Sequence, residues 1–469
     1  MNSIVKMSAF LAAGAFCASA ATVNFNENIA PIVYNKCAGC HREGESGPFP
    51  LTSFKEVSKR GALIAAVTQK RIMPPWHPAP SSVTYRDDRR LSDDQIALIQ
   101  NWVKAGMPEG PAEKATALPT FQAGWQLGKP DLVVTFPHAY KIPASGPDIY
   151  RDFVIPVGLP EDKWIRAIEV RPSASKAIHH MLYYGDPTGT MRQQDQSESL
   201  PGFAGLSLPR GTVGLGTWAA GTQPHYLPDG VARPFTKGSD LIIQEHFHPT
   251  GKVEMEKTTV GIYFAKDAPE RRMLSIQLPS DFGLFAGIKI PAGDGNYTVR
   301  DSFTLPIDVD AFGVSAHAHY IGKAMKLTAT LPNGEVKVLL NIPKWDFAWQ
   351  DGYMLSDMLP LPKGTRLDGE VIWDNSAANP HNPKNPPVDV TWGEQSFDEM
   401  GSVTLEMLPH LQAERVSLVT ALNERSRKDT TAAFERDPSL QKYVEDMGRG
   451  RTAVFQAGDQ KGQQQKPQQ

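Results

Sequence analysis

Thirty-nine prolines and 39 glycines are spread along 469 residues, and they interrupt any long helix over most of the chain. Short strands joined by turns remain, so a turn-rich β architecture is expected for much of the length. A chain this long exceeds one ordinary hydrophobic core, and the usual domain size suggests roughly three domains. The formal net charge is −3. Nothing in that balance calls for nucleic acid, an acidic substrate or an anionic membrane surface as partner.

Lys6 precedes an apolar run over 7–17, and Ala18-Ser19-Ala20 follows as a small-x-small pattern. We read 1–20 as a secretory signal peptide cleaved after Ala20, because the run is too short to be a comfortable membrane anchor. No later segment offers about 18 continuous apolar residues, so no membrane span is expected and the mature chain is placed in the periplasm or outside the cell. Cys17 lies in the leader, which leaves Cys37 and Cys40. An exported chain of this size with no disulfide framework must rely on packing and on cofactors.

The two remaining cysteines stand in Cys37-Ala38-Gly39-Cys40-His41. In Cys-x-x-Cys-His the thiols form thioethers to haem vinyl groups, and the adjacent imidazole is thereby delivered to one axial face of the iron. A zinc knuckle would need a second cysteine pair, and a thioredoxin-type pair would not need the histidine. One covalent haem c is the expectation. The opposite axial ligand is sought in Arg71-Ile72-Met73-Pro74-Pro75-Trp76, where a thioether in a proline-stiffened loop favours Met73. His77 is the competitor, and a core methionine the plain alternative.

Around the motif, segments 29–35, 53–69 and 92–105 read as short helices, with Asp93 and Asp94 at a helix start and Gly106 as a stop. From 131 the texture changes to short β-type runs such as 132–136, 164–170, 241–247 and 258–264, then 336–342 and 366–373. The expected fold class is multidomain: a small all-α cytochrome c domain (21–112), a linker (113–130), and two all-β, jelly-roll-like sandwich domains (131–290 and 291–412). A helical and then disordered tail (413–469) closes the chain.

Three histidine groups lie in the β-rich half: His179-His180, His246 within Gln-Glu-His-Phe-His-Pro, and His317-Ala318-His319; Met400 follows in Asp-Glu-Met-Gly. Residues two apart on a strand point to one side, so His317 and His319 reach a common ion. Imidazole suits copper and a thioether favours its cuprous state, so His317, His319 and Met400 describe a site for Cu(I) and dioxygen. An all-imidazole set of His179, His180 and His246 suits electron transfer. A lone strand histidine is more often a hydrogen-bonded core residue; the weight rests on the set.

In this order the motifs resemble the copper type II, ascorbate-dependent monooxygenases, the family of peptidylglycine α-hydroxylating and dopamine β-monooxygenases. The resemblance covers about 130–410 and implies two β-sandwich domains with one copper each. It implies that His179, His180 and His246 hold the electron-transfer copper, with Gln244 beside them. It further implies that His317, His319 and Met400 hold the oxygen-binding copper and form the catalytic centre. Ser315, Ser402 and Thr404 stand where the peptide-hydroxylating enzyme has an arginine, an asparagine and a tyrosine, which argues against a C-terminal peptide substrate. The implied reaction is hydroxylation of a C–H bond of a small organic substrate with dioxygen. Electrons would come from an external donor, an ascorbate-like reductant or a redox protein, by way of the haem. The competing class is a non-catalytic periplasmic copper and haem electron carrier. His248 is set apart as an outer residue, and His138, His225, His381 and His410 as surface or structural ones.

Overall fold

The computed structural model describes residues 23–446, apart from 123, 205–210, 220 and 394. The leader at 1–20 and the disordered end expected at 460–469 lie outside the described residues. Among the described residues no helix is long and apolar enough to cross a membrane.

The chain divides into two compact units, and the division does not follow sequence order. One comprises the chain to Glu45, then Phe49–Pro74 and Arg90–Pro119; the other comprises Ser46–Pro48, Pro75–Arg89 and everything from Thr120. In the first unit, helix Asp93–Lys104 begins with a capping box: Gln95 N–H donates to Ser92 Oγ at 3.1 Å, and Ser92 N–H donates to Gln95 Oε1 at 3.0 Å. Gly106, at φ +81°, ends it. Ile96, Ile99 and Trp102 recur at helical spacing and bury one face against Val33, Leu51 and Ile64.

These observations correct the expected fold class. The chain is mostly antiparallel β-sheet, and its N-terminal part is no clear all-α cytochrome c domain. Its α-helices span only 7, 5, 9 and 12 residues, joined by long irregular stretches. Residues 75–89, expected to belong to that domain, are part of the β-rich unit instead. The physical reason is local. Pro74, Pro75, Pro78 and Pro80 deny the segment helical hydrogen bonds, while Tyr85 (4 % exposed) and Trp76 join the apolar core around Leu355 and Tyr353.

In the β-rich unit, four four-stranded sheets form two pairs, each pair enclosing one apolar cluster. One sheet orders Ile149–Pro156, Asp240–Phe247, Ile178–Asp186 and Val213–Ala219; a second orders Leu274–Leu278, Gly401–Pro409, Val309–Ala318 and Gly352–Leu361. All pairings are antiparallel. In the first of these sheets Ile178 pairs with Phe247 but His180 with His246, so His179 is an extra residue, a β-bulge. In the second, His317 pairs with Ser402 and Ala318 with Gly401. Helices Arg415–Arg436 and Ser439–Asp446 follow the last strand, with Leu418 fully buried in the second core.

Candidate metal centre

Regular pleating would send His179 and His180 to opposite faces of their strand. The bulge removes that constraint, and both rings meet His246 from the neighbouring strand. One ligand-capable atom from each of the three lies within 4.8 Å of the others. The Nδ1 of His246 stands 3.3 Å from that of His179 and 3.4 Å from that of His180. The tautomer of His246 is set from behind. Its Nε2–H donates to Asp148 Oδ2 at 2.8 Å, leaving the Nδ1 lone pair toward its partners.

Asp148 also accepts from His248 Nδ1 at 2.8 Å and from the Tyr320 hydroxyl at 3.1 Å. Burial works to raise this carboxyl, but the bonds from His246 and His248 hold it well below the usual carboxylate range. Burial, then the neighbouring His246, pushes His179 down to about 4. The same two causes push His180 far below its ordinary value. The three rings are therefore neutral near pH 7, the form that binds a metal. Tyr150 stacks on His246 with ring centroids 4.2 Å apart, and Gln244 donates to Asp152 Oδ1 at 3.2 Å.

His317 and His319 have ring centroids 5.2 Å apart. Each is held through Nδ1: His317 donates to Gln350 Oε1 at 2.6 Å, and His319 to the Asp398 carbonyl at 3.1 Å. Nε2 is thereby left as the free lone pair on both rings. Burial pushes His317 down to about 4 and His319 to about 3. Met400 lies one residue past the last Ala318–Gly401 rung and is 9 % exposed. The register gives it the position opposite His319. Glu399, fully buried and pushed up to about 8 by that burial, accepts from the N–H groups of His319 (2.9 Å) and Ile321 (2.8 Å) and from Trp373 Nε1 (2.9 Å). It fixes the end of the histidine strand beside the methionine.

In the other unit, burial pushes the Cys37 thiol up to about 12. A tight turn closes the motif, with the N–H groups of Cys40 and His41 both donating to the Cys37 carbonyl at 3.1 and 2.9 Å. His41 Nδ1 donates to the Phe49 carbonyl at 3.0 Å and keeps Nε2 available. This donor set fits a thioether-linked haem with one imidazole axial ligand. Met73 belongs to the same unit as these residues, and His77 to the β-rich unit.

Asp148, Gln350, Glu399 and the aromatic Phe347 escaped the sequence reading. Only Glu399 lies in a motif that names a ligand, Asp-Glu-Met-Gly, where its bond to the His319 N–H was not legible; the other three act on histidines from outside any motif. Tyr320 was in plain view after His-Ala-His, but its hydroxyl's target was not.

No protein-family model matches the chain, and no curated protein matches it. Among solved structures the chain is similar to PNGF-II, with TM-score 0.25 and 12% identity over 59% of this chain and 65% of that one. It is similar to the VP2 subviral particle of infectious bursal disease virus, with TM-score 0.17 and 11% identity over 59% and 71%. It is also similar to the major capsid protein P2 of bacteriophage PM2, with TM-score 0.21 and 10% identity over 56% and 97%. Likenesses this slight carry no argument about what the chain does.

Proposed function

We propose that this chain is an exported, copper-dependent monooxygenase that hydroxylates a C–H bond of a small organic substrate with dioxygen. Cys37 and Cys40 would hold a covalent haem, which would supply one-electron chemistry from an external donor. The observation that carries the reading is the convergence of His179, His180 and His246 on one point within the unit that also holds His317, His319 and Met400. When bound, copper at the two sets supplies one-electron chemistry and dioxygen activation, and haem supplies a one-electron store.

The chain's own residues do the rest. Asp148 keeps the proton of His246 on Nε2, and Gln350 and the Asp398 carbonyl keep those of His317 and His319 on Nδ1. The ligating nitrogens of these three rings are thus presented deprotonated without a proton having to leave. Met400 adds a soft sulfur beside two imidazoles, which selects the cuprous state at that set. His41 and Met73 would hold the haem iron, and Cys37 and Cys40 would anchor the haem covalently.

Metal analysis of the exported protein should find about two coppers per haem. The reduced holoprotein should consume dioxygen only when a C–H substrate is present. His246→Ala should lose one copper and Met400→Ala should lose hydroxylation while the first copper stays. Dioxygen uptake independent of substrate, or zinc filling both sets after copper reconstitution, overturns the reading.

A further inference from the structure

Phe347 touches both histidine sets at once. Its ring centroid lies 5.8 Å from that of His179, 6.0 Å from His180 and 5.7 Å from His246. It lies 5.9 Å from His319 and 4.8 Å from Tyr320, so five rings of the two groups surround a single benzyl side chain. Phe347 is 6 % exposed, although it sits in an irregular loop rather than on a strand. The loop is pinned on either side of it: Trp345 N–H donates to the Lys323 carbonyl at 2.8 Å, and Asp351 pairs with Arg89 at 2.8 Å. Between these pins it also delivers Gln350 to His317.

A second path joins the sets through bonds. Tyr320 follows His319 in the chain, its hydroxyl donates to Asp148 Oδ2 at 3.1 Å, and the same oxygen takes the Nε2 proton of His246 at 2.8 Å. The two sets are therefore neighbours with one aromatic wall between them, not separate sites across open solvent.

From these contacts we infer that the two histidine sets form a single two-metal pocket, in which Phe347 is the partition that keeps the ions apart and Tyr320–Asp148 is the tie that holds the halves together. The inference rests on the copper reading above. Two paramagnetic ions so placed interact through space, with a strength that falls as the cube of their separation. Phe347 does this because an apolar ring offers no ligand and leaves no room for a bridging oxygen atom. Removing the ring would leave a polar-rimmed void large enough to admit water.

The test uses the full-length protein loaded with Cu(II) to two ions per chain and read by electron paramagnetic resonance. Wild type should show dipolar broadening and a half-field transition, both absent from His246→Ala, which holds one ion. Phe347→Ala, at unchanged copper content, should lose more than half of its integrated copper signal as a solvent oxygen bridges the ions and pairs their spins. Phe347→Leu, which keeps the wall apolar, should keep the wild-type spectrum. Tyr320→Phe should retain both ions but alter the half-field intensity as the halves loosen.

Two bound ions that give the simple sum of isolated signals overturn the proposal even if hydroxylation is robust. A Phe347→Ala spectrum identical to wild type also overturns it. Should Phe347→Ala fail to fold, the wild-type half-field measurement alone decides. Failure to bind copper at one of the sets overturns both this proposal and the function on which it rests. A coupled pair without substrate hydroxylation overturns the function alone.

Discussion

At the scale of single residues, the histidines were legible and their supports were not. His-His, Gln-Glu-His and His-x-His are short patterns that a reader can find. Asp148 bonds a histidine 98 positions away, and Gln350 bonds one 33 positions away, so only the fold brings them together. Asp148→Asn should keep the shape but lose the charge that fixes the His246 proton. Copper affinity at that set should fall about 10- to 100-fold, measured by competition with a chromophoric chelator. A second residue-scale expectation concerns His77. Its two ring nitrogens have no partner among the described residues, and burial pushes it down to about 4, against an ordinary 6.5. The unfolded chain takes up this proton as pH falls through 6.5 while the folded chain resists until about 4. Stability is therefore complete above pH 6.5 and falls below it, by about 2 kcal/mol at pH 5. Urea titrations of wild type and His77→Phe at pH 7 and pH 5 should show a loss about 2 kcal/mol larger in wild type, since the other buried histidines contribute equally to both; equal losses would remove His77 from the account.

At the scale of elements, short apolar runs bounded by turn residues made several strands legible, including Asp240–Phe247, Val336–Ile342 and Arg366–Trp373. What alternation cannot show is where it fails. The bulge at His179 depends on a one-residue mismatch with a strand some 60 positions on, and without it two adjacent histidines would face apart. The join between Val309–Ala318 and Gly401–Pro409 depends likewise on Glu399, which closes the rung that the backbone leaves open. Glu399→Ala would strip the buried N–H groups of His319 and Ile321 of their acceptor and leave Trp373 Nε1 only the Met400 carbonyl at 3.3 Å, and the loss should be at least about 2 kcal/mol in chemical denaturation. Copper at the His317 set should weaken with it, whereas the His179 set should be unaffected. Glu399→Gln, which keeps an acceptor oxygen, should recover part of both.

At the scale of the whole molecule, composition pointed to β structure, and sheets dominate the described residues. The orderly succession of a helical domain and then two sandwiches was misread, because nothing in a proline-rich segment announces which core its aromatics will enter. Since the histidines proposed to ligate copper all lie in the β-rich unit, copper should raise the melting of that unit if the proposal holds. The gain should be about 2.7 kcal/mol for each copper bound at a hundredfold excess over its dissociation constant, read by calorimetry with and without chelator. The passage of residues 75–89 into that unit has a practical consequence for anyone dividing the gene. The two units are laced together by the chain rather than strung like beads, so a cut anywhere near residue 115 separates Trp76 and Tyr85 from Tyr353 and Leu355, against which they pack. A fragment starting at 120 should therefore be made poorly soluble by its own uncovered core. The same fragment supplied with a peptide of residues 75–89 should regain solubility, a complementation that no end-to-end arrangement of domains would show.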